Sequence, residues 1–345
     1  MSPRNQRGVF VLLTFVSILL AFGGAMTAAA ATPPARGQMV DIGGRNLRMV
    51  CAGPDRGASA RPTVLLEAGA FGFSADWAVV QEQLADLGVR SCAYDRAGLG
   101  WSDPGPSPRD GLAIVSDLEA LLKASSEPGP FVIVGHSMAG LRLRLFAARN
   151  PELVCGVVLV DAATPEDMDD PHTRHYVSAF AGLSRAVSAI ASLGLLQPVK
   201  TTPFADKIGL TPQAKAEKQE LFASARHNRV SDEEVETWPI TARQAREAGQ
   251  FDPAWPVAVI TAEHGDGAAW KPQHDAAALA SRHGYIEEVK GSEHASLLGL
   301  KYADHIVRGV IYVMDMAALP PGSTSPLMDL EEPAEATKVA VASTP

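Results

Sequence analysis

Short apolar runs alternate along this chain with stretches of helical spacing. Residues 63–67, 89–94, 131–134, 154–160, 256–261 and 285–289 are runs of four to seven residues, rich in Val, Leu and Ile, that read as buried strands. Ahead of them, 38–42 and 46–52 flank Gly43-Gly44, the pattern of a hairpin. Between the runs, 75–87, 110–125, 141–148 and 268–282 carry helical patterns, and a final helix runs from the loop at His294 to about Met314. Ser74 stands where it would cap the first. This alternation predicts an α/β fold: a mostly parallel eight-stranded sheet with helices on both faces.

The alternation breaks once. Residues 164–253 read as helices and loops without a strand, with Thr211-Pro212 as one helix start and Ser231-Asp232-Glu233-Glu234 as the capping box of another. Ligands of such sheets sit beyond the carboxyl ends of the strands, at the loops after Glu67, Tyr94, Val134, Val160, Thr261 and Val289. An insertion between two strands would cover that rim as a lid. The expected organisation is a core in two parts, 38–163 and 254–316, a lid at 164–253, and a disordered tail at 317–345, rich in Pro, Ser, Thr, Ala and Glu.

Composition adds limits. A chain of 345 residues, 46% hydrophobic, can bury a full core, and its net charge of −9, with no basic patch interleaved with aromatics, excludes nucleic acid as a natural partner. Arg4 and Arg7 precede an apolar run at 9–22, and Ala28 to Ala31 offer a cleavage site before Thr32. Residues 1–31 are therefore expected to be a signal peptide, or an N-terminal membrane anchor if uncleaved. Either sends the body out of the cytoplasm, to the periplasm or the medium. Cys51, Cys92 and Cys155 are an odd set for an exported protein and lie in strand-like stretches, so they read as buried apolar side chains. A Cys51–Cys92 bridge is the alternative, since their strands would be neighbours in this fold. No ligand spacing suggests a metal, and no cofactor is expected.

The chemistry centres on Gly135-His136-Ser137-Met138-Ala139-Gly140, which joins the strand at 131–134 to the helix at 141–148. A serine at the apex of a sharp strand-to-helix turn is placed as a nucleophile. It needs a base, and the base needs an acid to orient it, in the chain order nucleophile, acid, histidine. Of nine histidines, His294 fits the base: it sits just past the last strand, on a Gly/Ser-containing loop. Three carboxylates compete for the acid. Asp266, after the strand at 256–261, is preferred; Asp161, after the strand at 154–160, is the alternative; Glu263 is third. Acyl transfer also needs donors for the developing oxyanion, each worth on the order of 3 kcal/mol. The backbone N–H groups of Met138 and Ala70 are best placed. In the loop 95–103, Arg96 is expected to pair with Asp95 or Asp103. Trp238 and Phe180, in the lid, are candidates to line an acyl pocket.

Taken together, Leu65-Leu66-Glu67-Ala68-Gly69-Ala70, Ala93 to Ser102, Gly135 to Gly140, Val158-Leu159-Val160-Asp161 and His294 resemble the α/β-hydrolase superfamily, specifically its lid-bearing esterase and lipase-like members. The resemblance spans 38–316 and departs at three places. Ala139 stands where the common pattern has glycine, Ala68-Gly69 where many relatives have His-Gly, and the acid loop 262–266 is one residue longer than usual. It implies a serine hydrolase acting on a carboxylic ester, or less readily an amide, with an apolar portion, through a Ser-His-Asp triad. Carbon–carbon bond hydrolases, cofactor-free haloperoxidases and peptidases share the fold and the serine. Epoxide hydrolases and haloalkane dehalogenases carry a carboxylate where Ser137 stands. A non-catalytic binding protein on the same scaffold is the reading from another class.

Overall fold

The structure, a computed structural model, describes residues 36–55, 58, 61–202, 206–263 and 271–319, and the backbone of 338–341. The segment 1–31, read as a targeting sequence, lies outside the described residues, as does most of 317–345.

The eight expected strands are present: β1 Gln38–Asp41, β2 Asn46–Ala52, β3 Thr63–Glu67, β4 Ser91–Tyr94, β5 Phe131–His136, β6 Val154–Val160, β7 Val257–Ala262 and β8 Gly284–Val289. A ninth, β9 Lys338–Val341, pairs antiparallel with β8 inside the segment expected to be disordered. That part of the tail expectation is corrected: overall composition argues for disorder, but four residues suffice to extend a sheet edge. The order is β1-β2-β4-β3-β5-β6-β7-β8-β9. Strands β3 to β8 run parallel, with the β1–β2 hairpin antiparallel on β4.

The central parallel strands are largely apolar because both faces are covered. Side chains alternate across the sheet. Val64, Leu66, Val132, Val134, Val158, Val160 and Ile260 pack under α1 (Ala78–Asp86) and α9 (Ala303–Ala317). Leu65, Ile133, Val157, Leu159, Val257 and Val259 pack under α2 (Gly111–Ser125) and α3 (Ala139–Arg149), with Ala278 of α8 (Lys271–Ala280) in the same layer.

Between β6 and β7 the chain makes α4 (Pro171–Ser192), α5 (Pro212–Phe222), α6 (Ala225–Glu236) and α7 (Trp238–Glu247), and no strand among the described residues. Helix α5 begins at Thr211-Pro212 as expected. Helix α6 does not begin at Ser231. It starts at Ala225, where the Ser224 hydroxyl accepts from the His227 N–H. Ser231 is buried within the helix, and Glu234 is taken by a partner in the core. No described helix is long and apolar enough to cross a membrane.

Cys51 and Cys92 stand directly opposite each other in the β2–β4 pair and form a disulfide. The bridge, the alternative on sequence grounds, is the observed arrangement, and only Cys155 keeps a free thiol, half-buried and pushed up to about 11 by its burial. Closing a loop between residues 41 apart constrains the unfolded chain. Replacing both cysteines by serine should therefore lower the unfolding free energy by about 2–4 kcal/mol in urea titrations. An unchanged midpoint would show that the bridge contributes nothing.

Candidate active site

The apex of the turn after β5 is under backbone constraint. Ser137 has φ 58°, the left-handed region that a residue with a Cβ enters only when its surroundings hold it there. They do so from both sides: its N–H donates to the Val160 carbonyl (3.0 Å), and its own carbonyl accepts from the N–H groups of Ala163 (2.9 Å) and Gly140 (3.1 Å). The serine is thereby bolted to the end of β6. Small residues are required where segments meet. A Cβ at Gly140 would stand 2.5 Å from the Ala163 carbonyl oxygen, and one at Gly69 would stand 2.8 Å from the Ser137 Cβ. Ala139, the departure from the common pattern, is fully buried, and the closest approach to the Ala163 backbone falls on Gly140.

His294 follows β8 and lies against the same turn. Its ring is 4.4 Å, centroid to centroid, from that of His136, the residue before Ser137. The His136 ring thus runs beside that of His294. His136 Nε2 is 3.0 Å from the His294 carbonyl oxygen. A carbonyl only accepts, so this nitrogen carries hydrogen. Burial, with the nearby His294 charge next, pushes the His136 pKa down to about 3, so it stays neutral.

The carboxylate behind His294 is Asp161: Oδ2 lies 2.5 Å from His294 Nδ1. Asp161 is itself left-handed at φ 42°, with its N–H on the Ile260 carbonyl (2.7 Å) and Oδ1 accepting from the Ala262 N–H (3.2 Å). Its side chain is 4% exposed, whereas that of His294 is 50% exposed. A buried carboxylate that only accepts leaves the proton on Nδ1 and the lone pair on Nε2. Asp266, the preferred acid, lies outside the described residues; among those described, the carboxylate behind the imidazole is that of the alternative, Asp161, from the end of β6. Glu263 accepts from the Gly291 N–H (2.7 Å), bracing the loop that leads to His294.

Among the described residues four non-glycines have positive φ: Phe71, Ser126, Ser137 and Asp161. Ser126 ends helix α2; the other three surround this site.

The loop after β3 passes beside Ser137 and carries Ala70, while Met138 begins the helix after the serine. Beneath them lies a charge cluster that sequence reading missed. Glu67 accepts from Arg142 Nε (2.7 Å) and Arg96 Nη1 (3.2 Å), and all three side chains are 1% exposed. Arg96 also donates from Nε (2.9 Å) and Nη2 (2.8 Å) to Glu234 of helix α6. Burial alone would lower the Arg96 pKa, but Glu234 and Glu67 outweigh it and hold the guanidinium charged. The expected pairing of Arg96 with Asp95 or Asp103 is not found. Asp95 takes the Ser74 N–H (3.0 Å) and Arg48 Nη1 (3.3 Å), and Asp103 takes the Asn46 N–H (2.7 Å). Ser74 therefore does not cap its helix; the Asp95 carboxylate serves that end.

Aromatic rings stand at the rim. Phe180 of α4 meets Phe71 edge-on (6.2 Å), stacks on Tyr176 (6.0 Å) and meets Trp238 of α7 edge-on (6.4 Å).

Comparison with known proteins agrees with this architecture. Residues 62–203 match the family described by the alpha/beta hydrolase fold. A protein of Hormonema carpetanum named "Probable transporter efuK" is 35% identical over 130 residues, covering 36% of this chain and 18% of that protein. The chain spans half or less of the length of the first curated relatives it matches. Among solved structures, the epoxide hydrolase CorEH is similar at TM-score 0.61, 19% identity, and 81% and 98% coverage of the two chains. A thermophilic esterase from Thermogutta terrifontis is similar at TM-score 0.59, 18% identity, and 83% and 100% coverage. At these identities the solved structures speak to the fold alone.

The buried neutral histidine gives a pH test. Its folded-state pKa lies below that of an exposed imidazole, so the unfolded chain takes up the proton first. The stability this contributes is complete above about pH 6.5 and declines as pH falls toward about 3, by about 1.4 kcal/mol per pH unit. In His136→Gln the slope of unfolding free energy between roughly pH 6 and 4 should be smaller by about that amount; an unchanged slope would mean that His136 titrates normally. The sheet order, the serine turn bolted between β5 and β6, and the match over residues 62–203 give this chain the α/β-hydrolase fold.

Proposed function

We propose that the protein is a serine hydrolase that cleaves a carboxylic ester through an acyl-enzyme, with Ser137 as nucleophile, His294 as base and Asp161 as the acid that orients it. The observation that carries this reading is the 2.5 Å contact between His294 Nδ1 and the buried Asp161, against the turn that presents Ser137 in a left-handed conformation. A serine hydroxyl is inert until its proton has somewhere to go, and a fixed Nδ1–H leaves Nε2 free to take it.

In the proposed reaction Ser137 Oγ bonds to the ester carbonyl carbon while its proton passes to His294 Nε2. The carbonyl π electrons move onto oxygen, which the N–H groups of Ala70 and Met138 stabilise. As the intermediate collapses, the bond to the alkoxy oxygen breaks and His294 returns the proton to the departing alcohol. Water then repeats the sequence on the acyl-enzyme, delivering the acid and restoring Ser137. The imidazolium formed twice in each cycle is stabilised by Asp161.

The rings of Phe71, Phe180, Tyr176 and Trp238 support an apolar portion in the substrate, and the insertion 164–253 is read as the cap that carries three of them. A serine in place of a carboxylate speaks against epoxide hydrolysis. The export reading for 1–31, with delivery to the periplasm or medium, stands as part of this proposal and is tested by the N-terminal sequence of the mature protein.

A fluorophosphonate probe should label Ser137 in the folded protein. Ser137→Ala should abolish labelling, and Asp161→Asn should lower kcat on p-nitrophenyl esters by roughly 10^3–10^4, whereas Asp266→Asn should keep near-full activity. Absence of labelling would remove the enzyme reading, and the reverse result for the two aspartates would return the acid to Asp266. Across p-nitrophenyl esters of graded chain length, Phe180→Ala should raise KM about tenfold for the longer acyl groups and leave the acetate nearly unchanged. Equal effects on both would show that the rings do not contact the acyl chain.

A further inference from the structure

The loop carrying Ala70 is gripped by its carbonyl groups. The Ala68 carbonyl accepts from Arg142 Nη2 (2.5 Å) and Arg96 Nη1 (2.8 Å), and the Gly69 carbonyl from Arg96 Nη2 (2.9 Å). The Phe71 carbonyl accepts from His227 Nε2 (3.2 Å) and Lys218 Nζ (3.3 Å). The Gly100 N–H donates to His227 Nδ1 (3.2 Å), so His227 is the neutral tautomer with hydrogen on Nε2. Lys218 is held in turn by Asp76 (2.8 Å).

A peptide unit is planar and trans, so its C=O and N–H point in opposite directions. The Gly69 carbonyl shares a peptide with the Ala70 N–H. While Arg96 holds that carbonyl, the Ala70 N–H must point the other way. A flip of this one peptide would present a carbonyl oxygen where an oxyanion donor is needed. Phe71, just beyond, is left-handed at φ 57°, a conformation that bulky side chains avoid, and its carbonyl and ring are both held by the insertion. Arg96 itself is gripped by Glu234. Arg142 and Arg96 of the core hold the Ala68 and Gly69 carbonyls, while helices α5 and α6 hold the Phe71 carbonyl, α4 meets its ring, and Glu234 of α6 braces Arg96.

We propose that the insertion holds the oxyanion donor in its working orientation, with Lys218, His227 and Glu234 as positioning residues: Glu234 through Arg96 and the 69–70 peptide, Lys218 and His227 through the Phe71 carbonyl. This rests on the serine-hydrolase reading above. The helices act on the rate-determining geometry as well as on substrate entry. Loss of a holding contact lets the 69–70 peptide flip, so part of the population lacks the donor, and transition-state binding falls while ground-state binding does not.

The test compares Lys218→Met with Lys218→Arg in the full chain, using p-nitrophenyl acetate as substrate and phenylboronic acid, which adds to a nucleophilic serine to give a tetrahedral anion, as the probe. Lys218→Met should lower kcat roughly 10- to 100-fold at nearly constant KM and weaken the boronic acid by the same factor, and Lys218→Arg should stay within about threefold of the parent. Wild-type kcat and boronate affinity in Lys218→Met would overturn the proposal. So would equal losses in the Met and Arg variants, since the donor would then not be the active feature. If Lys218→Met fails to fold, the pair His227→Gln and His227→Leu asks the same question: Gln, keeping a donor, should retain activity that Leu loses, and equal activity would overturn the proposal. Phosphonate labelling of Ser137 in the parent protein separates the two readings. No labelling removes the serine mechanism itself; labelling with an unaffected Lys218→Met removes this inference alone.

Discussion

The carboxylate of Glu67 is the constraint around which the upper face of this molecule is arranged. It stands at the end of β3, 1% exposed, where an unpaired charge could not be kept. Two guanidiniums answer it, Arg142 from the helix after Ser137 and Arg96 from the loop after β4. A second buried cation needs a second carboxylate, and Glu234 of the insertion supplies it. Three strand ends and an inserted helix are tied to one point. Such networks add little net stability over an apolar core, but losing one member leaves a buried charge unmatched, commonly at about 3–5 kcal/mol. Their use here is geometric. Arg96 also donates to the carbonyls of Ala68 and Gly69, and Arg142 to that of Ala68, so the charge cluster and the candidate oxyanion loop are one construction.

Strain is concentrated around the same point. Ser137, Asp161 and Phe71 come from three different strand ends, and each has a positive φ, uncommon outside glycine and least so for Asp. The hydrogen bonds that hold them cross between elements: Ser137 to β6, Asp161 to β7, Phe71 to the insertion. The rigid sheet supplies the first two restraints, and the helices supply the third.

Much of this was legible in the sequence because it depends on local pattern. Runs such as Val132-Ile133-Val134 and Val157-Val158-Leu159 are apolar at consecutive positions only because both faces of the sheet are covered, and the serine turn is marked by its small neighbours. What stayed hidden depends on distant partners. Asp161 and Asp266 both follow a core strand and precede His294, so chain order cannot separate them; the contact with the imidazole, seen for Asp161, is a distance between residues 133 apart. Arg96 has Asp95 and Asp103 close in sequence, yet pairs with Glu67, 29 residues away, and Glu234, 138 residues away. Glu234 looked like a capping residue because its local pattern fits one. The strand at 338–341 was masked by the polar, proline-rich composition around it.

A crystal structure of the phosphonate adduct at Ser137 tests directly whether Asp161, His294, Ser137 and the gripped loop at 68–71 form one site. The phosphoryl oxygen should lie within about 3 Å of both the Ala70 and Met138 nitrogens, with His294 Nδ1 still on Asp161 and the Gly69 carbonyl on Arg96. An adduct whose oxygen meets neither N–H, or in which His294 turns to a carboxylate other than Asp161, would contradict a single site.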